Sequence, residues 1–184
     1  YHNDNPPSTS LHEEATIASV TPLAAIFNNL VVFDPAKVHE SIDTVIPDLA
    51  ESWSWDSTNT RLTFKLRQGV KWHDGQPFTA KDVQCTWRML IGKTETQDFK
   101  RNPRKVWYTK LQDVSVNGDY EATFELSEPQ PSLPVLLASA FSAVYPCHVP
   151  PDQMRRRPVG TGPFKLAEFK MNEGVKLAKN PDYW

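Results

Sequence analysis

Three stretches of the chain alternate apolar and polar residues with the two-residue period of a β-strand that has one face in water. The most regular one covers residues 62–67. A second covers residues 114–126 on both sides of Asn117-Gly118-Asp119, and the Asn-Gly pair predicts the turn of a hairpin. The third predicts another hairpin, with strands over 164–169 and 174–178.

One segment has the signature of an α-helix. Apolar residues follow helical spacing from Val83 to Leu90, and Thr79 stands where a hydroxyl can cap the first turn. Asp82 follows three residues later, near the positive end of the helix. The sequence therefore predicts a helix that begins after Thr79 and stops at Gly92.

Weaker patterns occupy much of the remaining chain. Pro22 and the dense apolar residues after it predict a short helix over 21–29, followed by an extended stretch to Phe33. Further signals predict a surface loop over 93–105, a helix within 132–140, and a compact segment over 46–50 that Trp53 and Trp55 close.

Composition narrows the fold class. The 184 residues include 16 prolines and 7 glycines, which argues against long helices and for many short elements. Hydrophobic residues make up 39% and charged residues 23%, a balance that excludes a disordered tail. We therefore expect a mixed α/β (α+β) fold with short strands, hairpins and short helices.

Charge and hydropathy exclude several partners. The net charge of −2 leaves no basic surplus to hold nucleic acid or an anionic membrane. No apolar run approaches the roughly 18 residues that a membrane span needs. No charged-then-apolar leader opens the chain, so we expect any export leader to have been removed.

Motifs of catalysis and cofactor binding are missing from the sequence. No G-x-S-x-G elbow, P-loop or G-x-G-x-x-G occurs, and Pro163 removes an amide that a phosphate at the Gly160–Gly162 stretch would need. Cys85 and Cys147 match no zinc or haem spacing. The closest approach to a ligand cluster is His12-Glu13-Glu14, which ordinary loop polarity also explains. The sequence predicts no cofactor, no metal and no catalytic residue.

Three groups of residues allow both a functional and a structural interpretation. His73-Asp74 suits a general base, but also a hydrogen-bonded turn. Trp72, Phe78 and Trp87 suit a ligand box, although their spacing favours core packing. The run Arg155-Arg156-Arg157 can bind a carboxylate or simply be solvated.

Five blocks of the chain occur in a fixed order: Ile46-Pro47-Asp48-Leu49-Ala50-Glu51-Ser52-Trp53, residues 62–75, Phe78-Thr79-Ala80-Lys81-Asp82-Val83, Pro158-Val159-Gly160-Thr161-Gly162-Pro163-Phe164 and Asn180-Pro181-Asp182-Tyr183-Trp184. Together they resemble the signature of the family 5 extracellular solute-binding proteins, the peptide- and nickel-type binding subunits of ABC importers. The blocks are spread along the chain from Ile46 to its last residue, Trp184.

The resemblance implies a periplasmic-binding-protein type II fold in which two lobes close over a solute. Residues 46–157 would form the extra α/β subdomain of the first lobe. Residues 1–45 and 158–184 would belong to its ligand-facing sheet, and the chain would stop before the second lobe.

The resemblance also implies site residues and partners. The loop after the first strand points to Ser8, Thr9, Ser10, Leu11 and His12 as solute contacts, and similar positions in relatives add Trp107 and Arg157. The implied partners are a peptide or other small solute and the membrane subunits of an ABC transporter. The implied location is periplasmic or extracytoplasmic, which permits a bridge between Cys85 and Cys147 without requiring one.

Two rival functions stay open at this point. One is a hydrolase that uses His73 and Asp74, and the other is a stand-alone interaction module related to a receptor lobe. A receptor that binds without chemistry needs shaped pockets, aromatic walls and a few polar groups. The absence of catalytic motifs therefore favours the receptor.

Overall fold

A computed structural model of the chain describes residues 8–15, 21–94, 99–170 and 174–184. Within these ranges the strands are β1 (Val31–Phe33), β2 (Val45–Pro47), β3 (Ala50–Trp55), β4 (Arg61–Leu66), β5 (Leu111–Val116), β6 (Glu121–Leu126), β7 (Phe164–Lys170) and β8 (Gly174–Lys179). The same ranges contain helices α1 (Ala80–Ile91), α2 (Leu133–Ala138) and α3 (Pro151–Met154), and residues 21–23 are also helical. Short 3-10 helices lie at Ala24–Ile26, Ile42–Thr44 and Lys105–Tyr108.

The largest sheet is antiparallel, with the strand order β3-β4-β6-β5. Strands β5 and β6 form the hairpin that the Asn-Gly turn predicts, and β4 shows the expected alternation of buried and wetter residues. Helix α1 packs on one face, where the ring of Trp87 meets that of Phe124 edge-on at 4.9 Å between centroids. The mixed α/β prediction is confirmed.

Helix α1 begins and ends where the sequence predicts. Thr79 and Asp82 form a reciprocal capping box, and Gly92 ends the helix in the left-handed conformation with a φ of 75°. The carboxylate of Asp82 also accepts a hydrogen bond from the indole N–H of Trp72 and another from the main-chain N–H of Cys147. The side chains of Trp72 and Trp87 are both buried, so the core interpretation of these tryptophans is confirmed.

A disulfide joins Cys85 of α1 to Cys147, with 5.6 Å between their Cα atoms. The two cysteines are 62 residues apart in the sequence, and the bond fixes the loop after α2 to helix α1. The sequence alone left this pairing open, because a helix position and a Pro-Cys-His turn have no necessary proximity.

Two local predictions were wrong in part. Residues 21–26 are helical as expected, but the helix ends at Ile26 and not at 29, where the Ile26 carbonyl accepts a hydrogen bond from the distant Gly162 N–H and Phe27 is extended. The segment containing Trp53 and Trp55 forms strand β3 and not the closure of a compact segment. Its outer face is largely exposed, which hides the strand in the hydropathy pattern.

Candidate functional site

A concave face lies where the 3-10 turn at residues 24–26, strand β1 and the end of helix α2 meet. It holds a cavity of about 790 Å³ whose apolar lining includes Leu11, Phe27, Val32, Phe33, Phe141 and Tyr183. A neighbouring cavity of about 460 Å³ is lined by Phe33, Glu40, Trp107, Val135, Leu136 and Ser139. Three residues line both cavities, namely Phe33, Glu40 and Ser139. We call the lining of both cavities the concave face.

Two glycines allow a distant loop to position one side of the concave face. A Cβ atom at Gly160 would lie 1.9 Å from the carbonyl oxygen of Ile26, and one at Gly162 would lie 2.5 Å from that of Ala25. Only glycine permits this close approach. The Gly162 N–H donates to the Ile26 carbonyl at 2.9 Å, and Pro163 then lines the larger cavity.

Asp48 is a buried carboxylate of the larger cavity. It accepts hydrogen bonds from the side-chain amide of Asn28 at 2.9 Å and from the main-chain N–H of Asn29 at 2.8 Å. Burial raises the pKa of Asp48 to about 6, although these hydrogen bonds and the nearby Arg67 oppose the shift. At neutral pH the carboxylate is therefore mostly charged and is held in a fixed direction.

An aromatic corner separates the concave face from the protein interior. The rings of Trp107 and Phe141 meet edge-on at 5.7 Å, and the guanidinium of Arg104 lies 4.4 Å from the centre of the Phe141 ring. Arg104 is only 2% exposed, and it donates hydrogen bonds to the main-chain carbonyls of His12 and Glu14. It therefore ties the segment over 8–15 to the aromatic wall.

The segment over residues 8–12 contributes one side chain to the concave face, which is Leu11. Thr9 donates hydrogen bonds to the main-chain carbonyls of Arg155 and Met154, and it is buried together with Ser10. Ser8 donates to the carboxylate of Glu14 and lines neither cavity.

His12 packs behind the concave face. Its Nε2–H donates to the carbonyl of Ala143 at 2.7 Å, and its ring lies 4.3 Å from that of Tyr145. Burial and the positive charge of Arg104 lower the pKa of His12 to about 3, so the ring is neutral. Of the seven residues that the sequence singles out, the structure brings only Leu11 and Trp107 to the concave face.

Arg157 lies elsewhere, in a separate cavity of about 660 Å³. Arg155 and Arg156 line the same cavity, together with residues of β7. Arg155 is committed to a two-pronged ion pair with the buried carboxylate of Glu13, at 2.7 and 2.9 Å. Neither concave cavity includes Arg157 among its lining residues.

His73 and Asp74 do not form a catalytic pair. The Gly160 N–H donates to Nδ1 of His73 at 3.2 Å, so the proton resides on Nε2, which donates to the Gly162 carbonyl at 2.9 Å. Asp74 contacts His148 at 2.7 Å. Both nitrogens of His73 are thus bonded to the loop that contains Gly160 and Gly162, which we call the glycine loop. Neither nitrogen is left to accept a proton from a substrate.

The described part of the chain shows no group of three or more His, Cys, Asp or Glu side chains placed to hold a metal ion. In His12-Glu13-Glu14, the imidazole bonds to a carbonyl and Glu13 pairs with Arg155. Among the described helices, none is both long and apolar enough to cross a membrane.

Sequence reasoning missed several residues of the site, including Glu40. Phe27 and Phe141 look like core residues in the sequence, and their exposure to the cavity depends on the loop after α2. Arg104 lies in a charged stretch that predicts a surface loop, yet its guanidinium is buried. Asp48 belongs to the sequence block over residues 46–53. The polar pair Asn28-Asn29 could have indicated amides that bind a nearby carboxylate.

Known proteins resemble this chain over most of its length. The family model for bacterial extracellular solute-binding proteins, family 5 Middle, matches residues 44–184. A putative ABC transporter peptide-binding protein of Brucella ovis is 32% identical over 180 residues, which cover 92% of this chain and 32% of the relative. The oligopeptide-binding protein AppA of Bacillus subtilis is 35% identical over 158 residues, covering 80% of this chain and 28% of AppA.

Solved structures agree with this assignment. AppA in complex with a nonapeptide superposes with a TM-score of 0.80 and 27% identity, over 97% of this chain and 35% of that one. MoaA from A. tumefaciens R10, in complex with mannopinic acid, gives a TM-score of 0.83 and 28% identity over 99% of this chain and 36% of that one. The chain spans about a third of the length of the curated relatives it matches. It belongs to the family 5 bacterial extracellular solute-binding proteins.

Proposed function

We propose that the chain forms one wall of the solute-binding cleft in the receptor subunit of an ABC importer. The observation that carries this proposal is the concave face, a continuous apolar and aromatic surface with two carboxylates and two cavities of about 790 and 460 Å³. Volumes of this size suit a small solute. The names of the relatives, which include peptide-binding proteins, support the same role.

The chemistry of the face fits passive binding. Trp107, which is 38% exposed, contacts the solute directly, and Phe27 and Phe141 extend the apolar wall beside it. Leu11 is fully buried and packs beneath this wall, and Thr9, Ser10 and His12 support it from behind through hydrogen bonds and burial. Ser8 and Arg157 lie outside this wall.

The remaining assignments follow from the same role. Residues 46–157 form the extra α/β subdomain, and residues 1–45 and 158–184 form the ligand-facing part of the first lobe. A second lobe closes over the solute, and the closed form is the one that the membrane subunits of the transporter recognise. Such a receptor works on the extracytoplasmic side of the membrane, where the Cys85–Cys147 disulfide persists.

Native mass spectrometry of the protein, expressed from its full reading frame, tests the proposal. We expect a co-purified solute as an added mass that is lost on denaturation. Phe141→Ala should lower the affinity for that solute by about tenfold or more, because a half-buried aromatic wall residue contributes more than 1 kcal/mol. Phe169→Ala is the matched control, since Phe169 is also half-buried but lines the separate cavity that contains Arg157. Equal losses in both variants would contradict the proposed wall.

A further inference from the structure

Glu40 is a carboxylate without a partner on the concave face. Its side chain lines both cavities, so it stands at their junction. It is exposed, and it forms no hydrogen bond or ion pair with another residue of the described ranges. A carboxylate that the fold itself leaves unpaired remains available to a positively charged group from outside.

Aromatic and aliphatic side chains surround this carboxylate. Phe33 and Trp107 line the same cavity as Glu40, and Val135 and Leu136 complete its apolar lining. The guanidinium carbon of Arg104 lies 5.6 Å from the centre of the Trp107 ring, and 38% of the Trp107 surface remains exposed for a cation from outside. An aromatic ring attracts a cation through its negatively polarised face, and a carboxylate attracts it through its charge. Together they form a site for an organic cation whose carbon atoms pack on the aliphatic side chains.

Both formal charges on the concave face are negative. Asp48 is the second carboxylate, and no Lys, Arg or His side chain among the described residues lines either cavity. Arg67 donates its Nε–H to the main-chain carbonyl of Asp48, and Arg104 donates to carbonyls behind the aromatic corner. Neither arginine lines a cavity, so an anionic group on this wall would meet carboxylates and find no ion-pair partner.

We propose that the concave face selects a solute with a positively charged nitrogen on an apolar body, and that Glu40 determines this preference. The cation lies between the Glu40 carboxylate and the ring of Trp107, and the apolar part of the solute packs on Phe33 and Leu136. This inference rests on the proposed function, since a preference requires that the concave face binds a solute at all.

Calorimetric titration of the protein expressed from its full reading frame tests the preference with three probes of similar shape. Benzyltrimethylammonium is cationic, benzyl alcohol is neutral and 3-phenylpropionate is anionic. We expect the cation to bind at least about tenfold more tightly than the anion. Glu40→Gln should lower the affinity for the cation by about fivefold and leave that for benzyl alcohol unchanged. Glu51→Gln removes an exposed carboxylate outside the face and should change neither affinity.

The outcomes separate this inference from the proposed function. Equal affinity for the three probes, with all binding weakened by Trp107→Ala, overturns the cation preference and leaves the binding wall in place. Loss of cation binding in Glu51→Gln to the same extent as in Glu40→Gln also overturns it, because the effect is then one of net charge. Probe binding that is insensitive to Trp107→Ala overturns both proposals, and no measurable binding of any probe overturns the preference.

Discussion

Replacing Gly160 with alanine tests whether the glycine loop sets the position of the concave face. The new Cβ would lie 1.9 Å from the Ile26 carbonyl oxygen, where real Cβ contacts are essentially never below 3.0 Å. The loop must therefore retreat by about 1 Å or the turn at residues 24–26 must distort.

The magnitude follows from the hydrogen bonds that this movement disturbs. They run from the His73 N–H to the Gly160 carbonyl at 2.9 Å, from the Gly160 N–H to His73 Nδ1 at 3.2 Å, and from the Gly162 N–H to the Ile26 carbonyl at 2.9 Å. At about 1 kcal/mol for each bond, and about 1 kcal/mol more for overpacking strain, we expect Gly160→Ala to lower the free energy of unfolding by about 4 kcal/mol.

Urea unfolding followed by tryptophan fluorescence measures this loss. Gly118→Ala is the matched control, because a Cβ there meets nothing within 4 Å and only the φ of +66° opposes it. That control should cost about 1–2 kcal/mol through its left-handed backbone alone. A loss for Gly160→Ala smaller than that of Gly118→Ala would refute the reasoning from close approach.

Three further predictions concern residues that stabilise the fold. Serine at both Cys85 and Cys147 should lower the free energy of unfolding by about 4 kcal/mol, the chain-entropy estimate for a 62-residue separation, and identical unfolding curves with and without a reductant would contradict a disulfide. Because the folded-state pKa of Asp48 is raised from 3.8 to about 6, its contribution to stability is full below pH 3.8 and is lost as the pH rises through 6. The stability of the wild type relative to Asp48→Asn should therefore fall by about 2 kcal/mol between pH 4.5 and 7 in urea titrations, and a pH-independent difference would contradict the shift. Arg104→Met leaves two carbonyls without their donor and should cost about 3 kcal/mol in thermal unfolding, whereas Arg61→Met, at the more exposed ion pair with Glu125, should cost less than about 1 kcal/mol, and equal costs would contradict the buried role of Arg104.

The elements predicted correctly are those whose signals are local. Helix α1 carries its own caps in Thr79, Asp82 and Gly92, and the β5–β6 hairpin carries its own turn. Each signal acts within a few residues, so tertiary contacts had little to override. Strand β3 was missed because one of its faces is exposed and its apolar positions are few.

The site was harder to predict because distant segments build it. Thr9 bonds to Met154 across 145 positions, and Arg104 reaches His12 across 92. Periodicity carries no information about such pairs. The resemblance led to Leu11 and Trp107 as candidate site residues, but the sequence could not show that Glu40 and Trp107 line the same cavity or that Thr9 and Ser10 are buried.

The most direct test of the central claim is a crystal structure of the protein, expressed from its full reading frame, with its co-purified solute. We predict that the solute contacts Phe27, Trp107 and Phe141 on the concave face. A solute bound instead in the cavity of Arg155, Arg156 and Arg157, with the concave face empty, would contradict the account.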